Sequence, residues 1–244
     1  ATINIATMIG SLEKGIVVAP KDAERFGDSK TIEDLRGRWN TNIDAYQWAL
    51  EKLWPKMNHN ILACQHPTFA NHHLRDYLVR HKVFQFWVTG KNAEDKKKSD
   101  YQKEYAFAEK LFQITPPNIP LIGWVGADDN DHGLTEHHAV GLAGRYGKFT
   151  IGSNWGINLS LISGIKTDVK KMASSYLKRV KHNSPKLEQD KVYISFVIQE
   201  SGDSPIYWKS VQKRIWDDPA RGQIPIGWTL GLPVFEMNPA ILEW

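Results

Sequence analysis

A chain of 244 residues with 41% hydrophobic and 24% charged side chains has the balance of a folded globular protein, long enough for one large α/β domain or two smaller ones. No apolar run approaches the roughly 20 residues a bilayer span needs, and a formal charge of +4 is too modest at this length to point to nucleic acid. The single cysteine, Cys64, excludes an internal disulfide and a thiolate metal site, and its place in the apolar run NILACQHP suits a buried, inert thiol.

The chain opens on Ala1 rather than Met, as after removal of a leader or excision from a longer protein. Its compartment is therefore left open, with secretion one reading. Short apolar runs then recur as candidate strands: INIATMI (3–9), GIVVA (15–19), NILAC (60–64), KVFQFWV (82–88), IPLIGWV (119–125), KFTIGS (148–153), KVYISFVI (191–198) and IPIGWTL (224–230). Residues 20–37 form a long polar connection. Helical patterns fill most of the other gaps. NIDAYQWALEKLW (42–54) sets Ile43, Tyr46, Leu50 and Leu53 on one face, and residues 99–114 do the same with Tyr101, Tyr105, Ala108, Leu111 and Phe112. Ser99 and Gln102 have the spacing of a capping box. TEHHAVGLAGRYG (135–147) closes on Gly147, a natural helix stop. Residues 166–186 place Val169, Met172, Ala173, Tyr176, Leu177 and Val180 on an inner face, leaving their lysines outside.

Strand and helix in alternation predict parallel βα units, whose strands are buried on both faces and so read as unbroken apolar runs. The expected architecture is α/β: a small N-terminal α/β segment over residues 1–75, then a TIM-barrel-like domain over 76–244, incomplete at its C-terminus. In repeated βα units the ligand site lies at the carboxyl ends of the strands. Two related phrases stand at such ends, IPLIGW (119–124) and IPIGW (224–228), each closing on Gly-Trp. Glycine permits close approach of backbone or ligand, and tryptophan offers a broad apolar face with one N–H donor. Trp87, Trp155 and Trp208 occupy similar positions. Aromatic faces stack on sugar rings, so the pattern reads as a carbohydrate pocket, with core packing as the alternative for each tryptophan taken singly. The pocket reading requires Trp124 and Trp228 to face one site.

The polar residues at the same junctions are the candidate chemistry. ADDNDHGLTEHH carries Asp128, Asp129, Asp131, His132, Glu136, His137 and His138, able to hold Ca²⁺ or Zn²⁺ or simply to cap the helix that follows. It lacks an EF-hand pattern and an HExxH, so no metal is expected. Asp128 and Asp129 read instead as sugar-binding carboxylates. Asn154, Asn158 and Ser160 supply neutral hydrogen-bonding groups, and Asn158-Leu159-Ser160 is formally a glycosylation sequon. Glycoside hydrolysis needs two carboxyls flanking one bond, and Glu200, Asp203 and Glu236 are the candidates, with helix capping as the alternative. There is no GxSxG elbow and no Walker loop, and GLAGRYGKF precedes a strand rather than opening a helix. No cofactor is expected.

SFVIQESGDSPIYW, followed by RGQIPIGWTLGLPVFEMNPAILEW, closely resembles the GxGYxYP family of glycoside-hydrolase-like proteins. DAYQWALEKLWPKMNHNILA, LRDYLVRHKVFQFW, TPPNIPLIGW and YGKFTIGSNWGINLSLISGI resemble its preceding segments in the same order. The resemblance implies a carbohydrate-active protein with a TIM-barrel-like C-terminal domain behind small α/β domains. Asp203 is the principal carboxylate on this reading, with Glu200 or Glu236 as partner and Trp124, Trp155, Trp208 and Trp228 as stacking walls. The sequence departs from the family pattern at Ser201 and Ser204, where Asp and Asn are usual, and at Asn154, where Asp is frequent. The eponymous motif would follow Trp244. A lectin-like relative that binds sugar without cleaving it is the rival reading, favoured by Ser201 and Asn154.

Overall fold

In the computed structural model the first apolar run is a helix, not a strand. Helix α1 spans Thr2–Glu13 and buries Asn4, Ile5, Thr7 and Met8. Its five β-branched residues each cost at most about 0.7 kcal/mol of helix propensity. Full burial of Ile5 and Met8 returns about 1.5–3 kcal/mol apiece, so packing overrides local preference. Lys14, in the left-handed conformation at φ 55°, ends the helix. The second run, GIVVA, forms no strand: Ile16 is 77% exposed and has no ladder to join.

The structure describes residues 1–66, 71–88, 100–123, 125, 136–152, 158–180, 186–198, 212–229, 231 and 233–240. The chain divides into two units, Ala1–Asn158 and Leu159–Trp244. In the first, a 3₁₀ turn at Pro20–Phe26 lies within the exposed polar connection. Helix α2, Asn42–Lys52, follows a capping box in which the Thr41 hydroxyl accepts from Asp44 N–H and the Asp44 carboxylate accepts from Thr41 N–H. Ile43, Tyr46 and Leu53 of the expected face are buried, with Leu50 packed at the core's margin.

Strands β1 (Asn58–Cys64), β2 (Val83–Phe86), β3 (Pro120–Ile122) and β4 (Phe149–Ile151) alternate with helices α3 (Asn71–Arg80), α4 (Tyr101–Ile114) and α5 (Glu136–Arg145). They form one all-parallel sheet in the order β2-β1-β3-β4. Leu62 pairs with Phe84 on one side and with Leu121 on the other. One sheet face gives Leu62, Cys64, Phe84, Phe86 and Leu121 to a core shared with Phe107, Ala108, Leu111 and Phe112 of α4 and Ala139, Leu142 and Ala143 of α5. β2 is an edge strand, and α1 packs on it. There the Gln85 N–H points to Met8 Sδ at 3.2 Å, so the helix covers an edge that would otherwise offer a free template.

Helix α4 is capped one residue later than the sequence suggests: Asp100 is its N-cap, and the Asp100 carboxylate accepts from Lys103 N–H. Helix α5 gives way to Gly147 at φ +68°, as expected, and Lys148 then sends its buried Nζ to the carbonyls of Thr115 and Pro116 behind α4.

The second unit holds α6 (Leu159–Ile162), α7 (Val169–Val180), β5 (Phe196–Ile198), α8 (Lys213–Trp216), β6 (Ile226–Trp228) and α9 (Pro233–Met237). Asp168 caps α7 by accepting from Lys171 N–H at 2.9 Å. Leu177, expected on its inner face, is exposed. β5 and β6 pair in parallel, Phe196 with Ile226 and Ile198 with Trp228. The apolar run expected as one strand over 191–198 is ladder-bonded over its last three residues, because β6 presents three partners. Val192 is 91% exposed. Among the described residues no helix is long and apolar enough to cross a membrane.

Two measurements test these local arguments. A Cβ at Gly147 would sit 3.0 Å from Pro117 Cβ on a left-handed residue, whereas one at Gly144 meets nothing within 4 Å. Denaturant unfolding of Gly147→Ala should show a loss of about 1–2 kcal/mol, while Gly144→Ala should gain about 0.5–1 kcal/mol. The Asp100 carboxyl is held below the usual aspartate range by its hydrogen bonds to Lys103. A folded pKa below the unfolded one means that this stabilisation is complete above the unfolded value, near pH 4, and fades as pH falls through the folded value. Asp100→Asn should therefore flatten the acid limb of the stability profile and leave Ser99→Ala as its wild-type-like control.

Candidate functional site

Parallel strands exit at one edge, and in the four-stranded sheet the strand order reverses between β1 and β3. In sheets of this topology the usual ligand position is outside the carboxyl ends of the strands at such a reversal. β1 leads into Gln65 and His66, β2 into Trp87 and Val88, β3 into Gly123 and β4 into Gly152. Gly123 takes φ +75° while its N–H donates to the Ile151 carbonyl, a turn that a side-chain-bearing residue would strain. His66 and Trp87 stand edge to face, centroids 4.8 Å apart, both partly exposed.

Beneath this rim the interior is polar. Asn4 Nδ2 donates to the Gln65 carbonyl at 2.9 Å and to the Tyr46 hydroxyl at 3.3 Å. Burial pushes the Tyr46 phenol well above its usual range, so it stays a neutral donor and acceptor at all physiological pH values. Glu104, in the first turn of α4, is also buried. Gln65 and Gln85 are each about 1% exposed. Gln85 pairs with Ala63, and Gln65 follows directly on the end of β1. Neither amide meets a hydrogen-bond partner among the described residues. Leaving a buried polar group unpaired costs about 1–3 kcal/mol where no water reaches it.

In the second unit the carboxyl ends of β5 and β6 are neighbours. Both the backbone N–H and the hydroxyl of Thr229 donate to the Ile198 carbonyl, at 3.2 and 2.8 Å. The chain passes from Ile198 into the segment bearing Glu200, Asp203 and Trp208, and from Trp228 towards α9, where Glu236 is exposed beside buried Val234 and Met237. Trp228 is partly buried and meets Trp216 edge to face at 5.1 Å, with the Arg221 guanidinium 4.1 Å from the Trp216 ring. An apolar cleft of about 310 Å³ is lined by Phe196, Val197, Ile198, Ile224 and Ile226.

Of the residues expected from sequence to carry function, Trp87, Asn158, Ser160, Trp228 and Glu236 are described. Asn158 is exposed in a turn at φ 56°, immediately before α6. Asp203, Glu200, Trp124, Asp128, Asp129, Asn154, Trp155 and Trp208 lie outside the described residues. Among the described residues no three His, Cys, Asp or Glu side chains gather to hold a metal ion. The two Gly-Trp phrases differ. Gly123 follows β3 in a left-handed turn, whereas Gly227 lies inside β6 and Trp228 is the strand's last residue. Their strands belong to different sheets. The buried polar group of Asn4, Tyr46, Gln65, Gln85 and Glu104 was not singled out from sequence. Its visible signal is a glutamine set within or against an otherwise apolar strand, as in VFQF and ILACQ.

Three family models match in succession. The GxGYxYP_N second domain covers residues 1–57, the GxGYxYP third domain residues 59–164, and the GxGYxYP putative glycoside hydrolase C-terminal domain residues 190–244. No curated protein and no solved structure matches the chain.

The polar interior makes one prediction independent of function. Tyr46→Phe removes the acceptor of an Asn4 N–H in a fully buried setting and should lower unfolding free energy by about 1 kcal/mol. Equilibrium denaturation would check this, and an unchanged midpoint would mean that the bond contributes nothing.

Proposed function

The chain belongs to the GxGYxYP family, and on that premise we propose that it is a carbohydrate-active protein of glycoside-hydrolase type, with its chemistry at the carboxyl ends of β5 and β6. The observation that carries this reading is the parallel register of Ile198 with Trp228. It brings the exit leading to Glu200 and Asp203 beside the exit leading to Glu236, within the stretch matched by the glycoside hydrolase model. In the proposed mechanism Asp203 is the principal carboxylate, and Glu200 or Glu236 is its partner. One protonates the glycosidic oxygen while the other acts as base or nucleophile at the anomeric carbon. Trp208 and Trp228 supply apolar faces for the sugar ring. The TIM-barrel-like arrangement is carried as part of the same proposal. Its support is the parallel pairing of β5 with β6 across an intervening segment that contains α8. Trp124, Asp128, Asp129, Asn154, Trp155 and Asn158 are proposed as saccharide contacts at the first unit's own strand exits.

Incubation with a panel of oligosaccharides, following both binding and release of new reducing ends, tests this reading. Asp203→Asn should bind like the parent and cleave at least about 100-fold more slowly, the usual range for loss of a general acid or base. Binding without cleavage by the parent would convert the assignment to a lectin-like one. Neither binding nor cleavage across the panel would sink it.

A further inference from the structure

We propose that the exposed face of α7 binds a linear polysaccharide bearing carboxylates, an inference that names a substrate class for the glycoside-hydrolase reading and rests on it. The first observation is how charge is distributed along the chain. Residues 166–186 hold seven Lys and Arg against one acid, Asp168, a net charge of +6. The other 223 residues hold 24 bases against 26 acids, a net charge of −2, so the positive excess of the chain resides in this one stretch. Its single acid is engaged, because the Asp168 carboxylate caps α7 by accepting from Lys171 N–H. The second observation is geometric. At 3.6 residues per turn, Lys170, Lys171, Ser174, Leu177 and Lys178 fall within about a third of the helix circumference, and all five are exposed. Lys170 and Lys178 stand about 12 Å apart along the axis. Exposed Lys166 lies just ahead of the helix. None of these four lysines has an ion-pair partner among the described residues. Helix α4, by contrast, interleaves Lys103 and Lys110 with Glu104 and Glu109. Like charges left together on a helix face repel one another, and an anionic partner removes that repulsion.

The same face specifies the partner. Binding to a bilayer surface grows with the apolar area that the lipid buries, and among its described residues this face offers Leu177 as its one large apolar side chain. A nucleic-acid duplex presents a broad polyanionic surface, which the net −2 of the remaining chain opposes, and no described aromatic on this face offers stacking to a single strand. A linear polysaccharide is narrow enough to lie along one helix face. Its carboxylates meet the lysine ammonium groups, and its hydroxyls meet the serines. Ser174 Oγ donates to the Lys170 carbonyl at 2.8 Å, which leaves its lone pairs to accept from a sugar hydroxyl. The face belongs to the unit Leu159–Trp244, which also holds the stretch matched by the glycoside hydrolase model.

The test is affinity electrophoresis of the full chain through gels containing polygalacturonate, with dextran as the neutral control, at about 50 mM and about 500 mM salt. Polygalacturonate should retard the parent at low salt and release it at high salt, while dextran should not retard it. Lys170→Gln, Lys171→Gln and Lys178→Gln combined should weaken binding at least about tenfold. Glutamine has nearly the helix propensity of lysine, so this variant should keep the parent Tm. Replacing Lys21, Lys30 and Lys52, exposed lysines of the first unit, by Gln removes the same net charge and should leave binding within about twofold. Asp203→Asn should bind polygalacturonate like the parent. The proposal is overturned if the parent is not retarded or if the two triple variants weaken binding equally. It also fails if phosphatidylglycerol vesicles or duplex DNA bind through the α7 lysines more tightly than polygalacturonate does. Cleavage of a neutral oligosaccharide without polygalacturonate binding would remove this surface and leave the glycoside-hydrolase reading standing. Polygalacturonate binding through α7 with no glycan cleaved would keep the surface and move that reading to its lectin-like form.

Discussion

Parallel pairing is the constraint from which the rest of this molecule follows. Parallel strands cannot be joined by tight hairpins, so each connection must cross over the sheet, and the crossings here are α3, α4 and α5. The crossings bury the sheet, which is why Leu62, Phe84, Phe86, Leu121 and Ile122 are inaccessible to solvent. They also send every strand exit to the same edge. Chemistry-bearing residues can then be concentrated there without disturbing the core. The sheet has two edge strands, β2 and β4, and α1 meets the first by lying along it with Met8 against the Gln85 N–H.

That arrangement explains which parts of the fold were legible in the sequence. The runs NILAC, VFQF, IPLI and KFTI became strands because each is mainly apolar and finds a parallel neighbour. Helices α2, α4 and α5 were legible because their apolar residues recur at helical spacing. INIATMI misled because its β-branched residues favour a strand locally, while the spacing of Ile5, Met8 and Leu12 equally fits one helical face. Edge cover decided between the two, and edge cover is a tertiary fact. The strand order was not legible at all: βα alternation is common to barrels and doubly wound sheets, and the pairing of β1 with both β2 and β3 appears only in three dimensions.

The candidate sites divide along the same line. Acids and tryptophans after strands are conspicuous in a sequence, and Glu200, Asp203 and Glu236 stand out for that reason. Gln65 and Gln85 do not, because one glutamine in an apolar run looks like a tolerated polar residue. Their burial is a tertiary property with no sequence signature. Composition at a strand exit can be read from a sequence, whereas a polar side chain enclosed by the fold is seen only in three dimensions.

The two Gly-Trp phrases show how little sequence change separates these roles. IPLIGW has one more apolar residue than IPIGW between its proline and its glycine. With that residue, β3 ends at Ile122 and Gly123 falls into the turn, where its left-handed φ is needed. Without it, Gly227 falls inside β6, where the absence of a Cβ leaves room beside Val197, and Trp228 becomes the strand's end and packs on Trp216. Similar words thus serve as a turn in one sheet and as strand packing in the other. The shared vocabulary therefore marks no shared role: β3 is largely buried whereas Ile226 and Gly227 of β6 are exposed, and each unit must have its ligand contacts argued from its own rim.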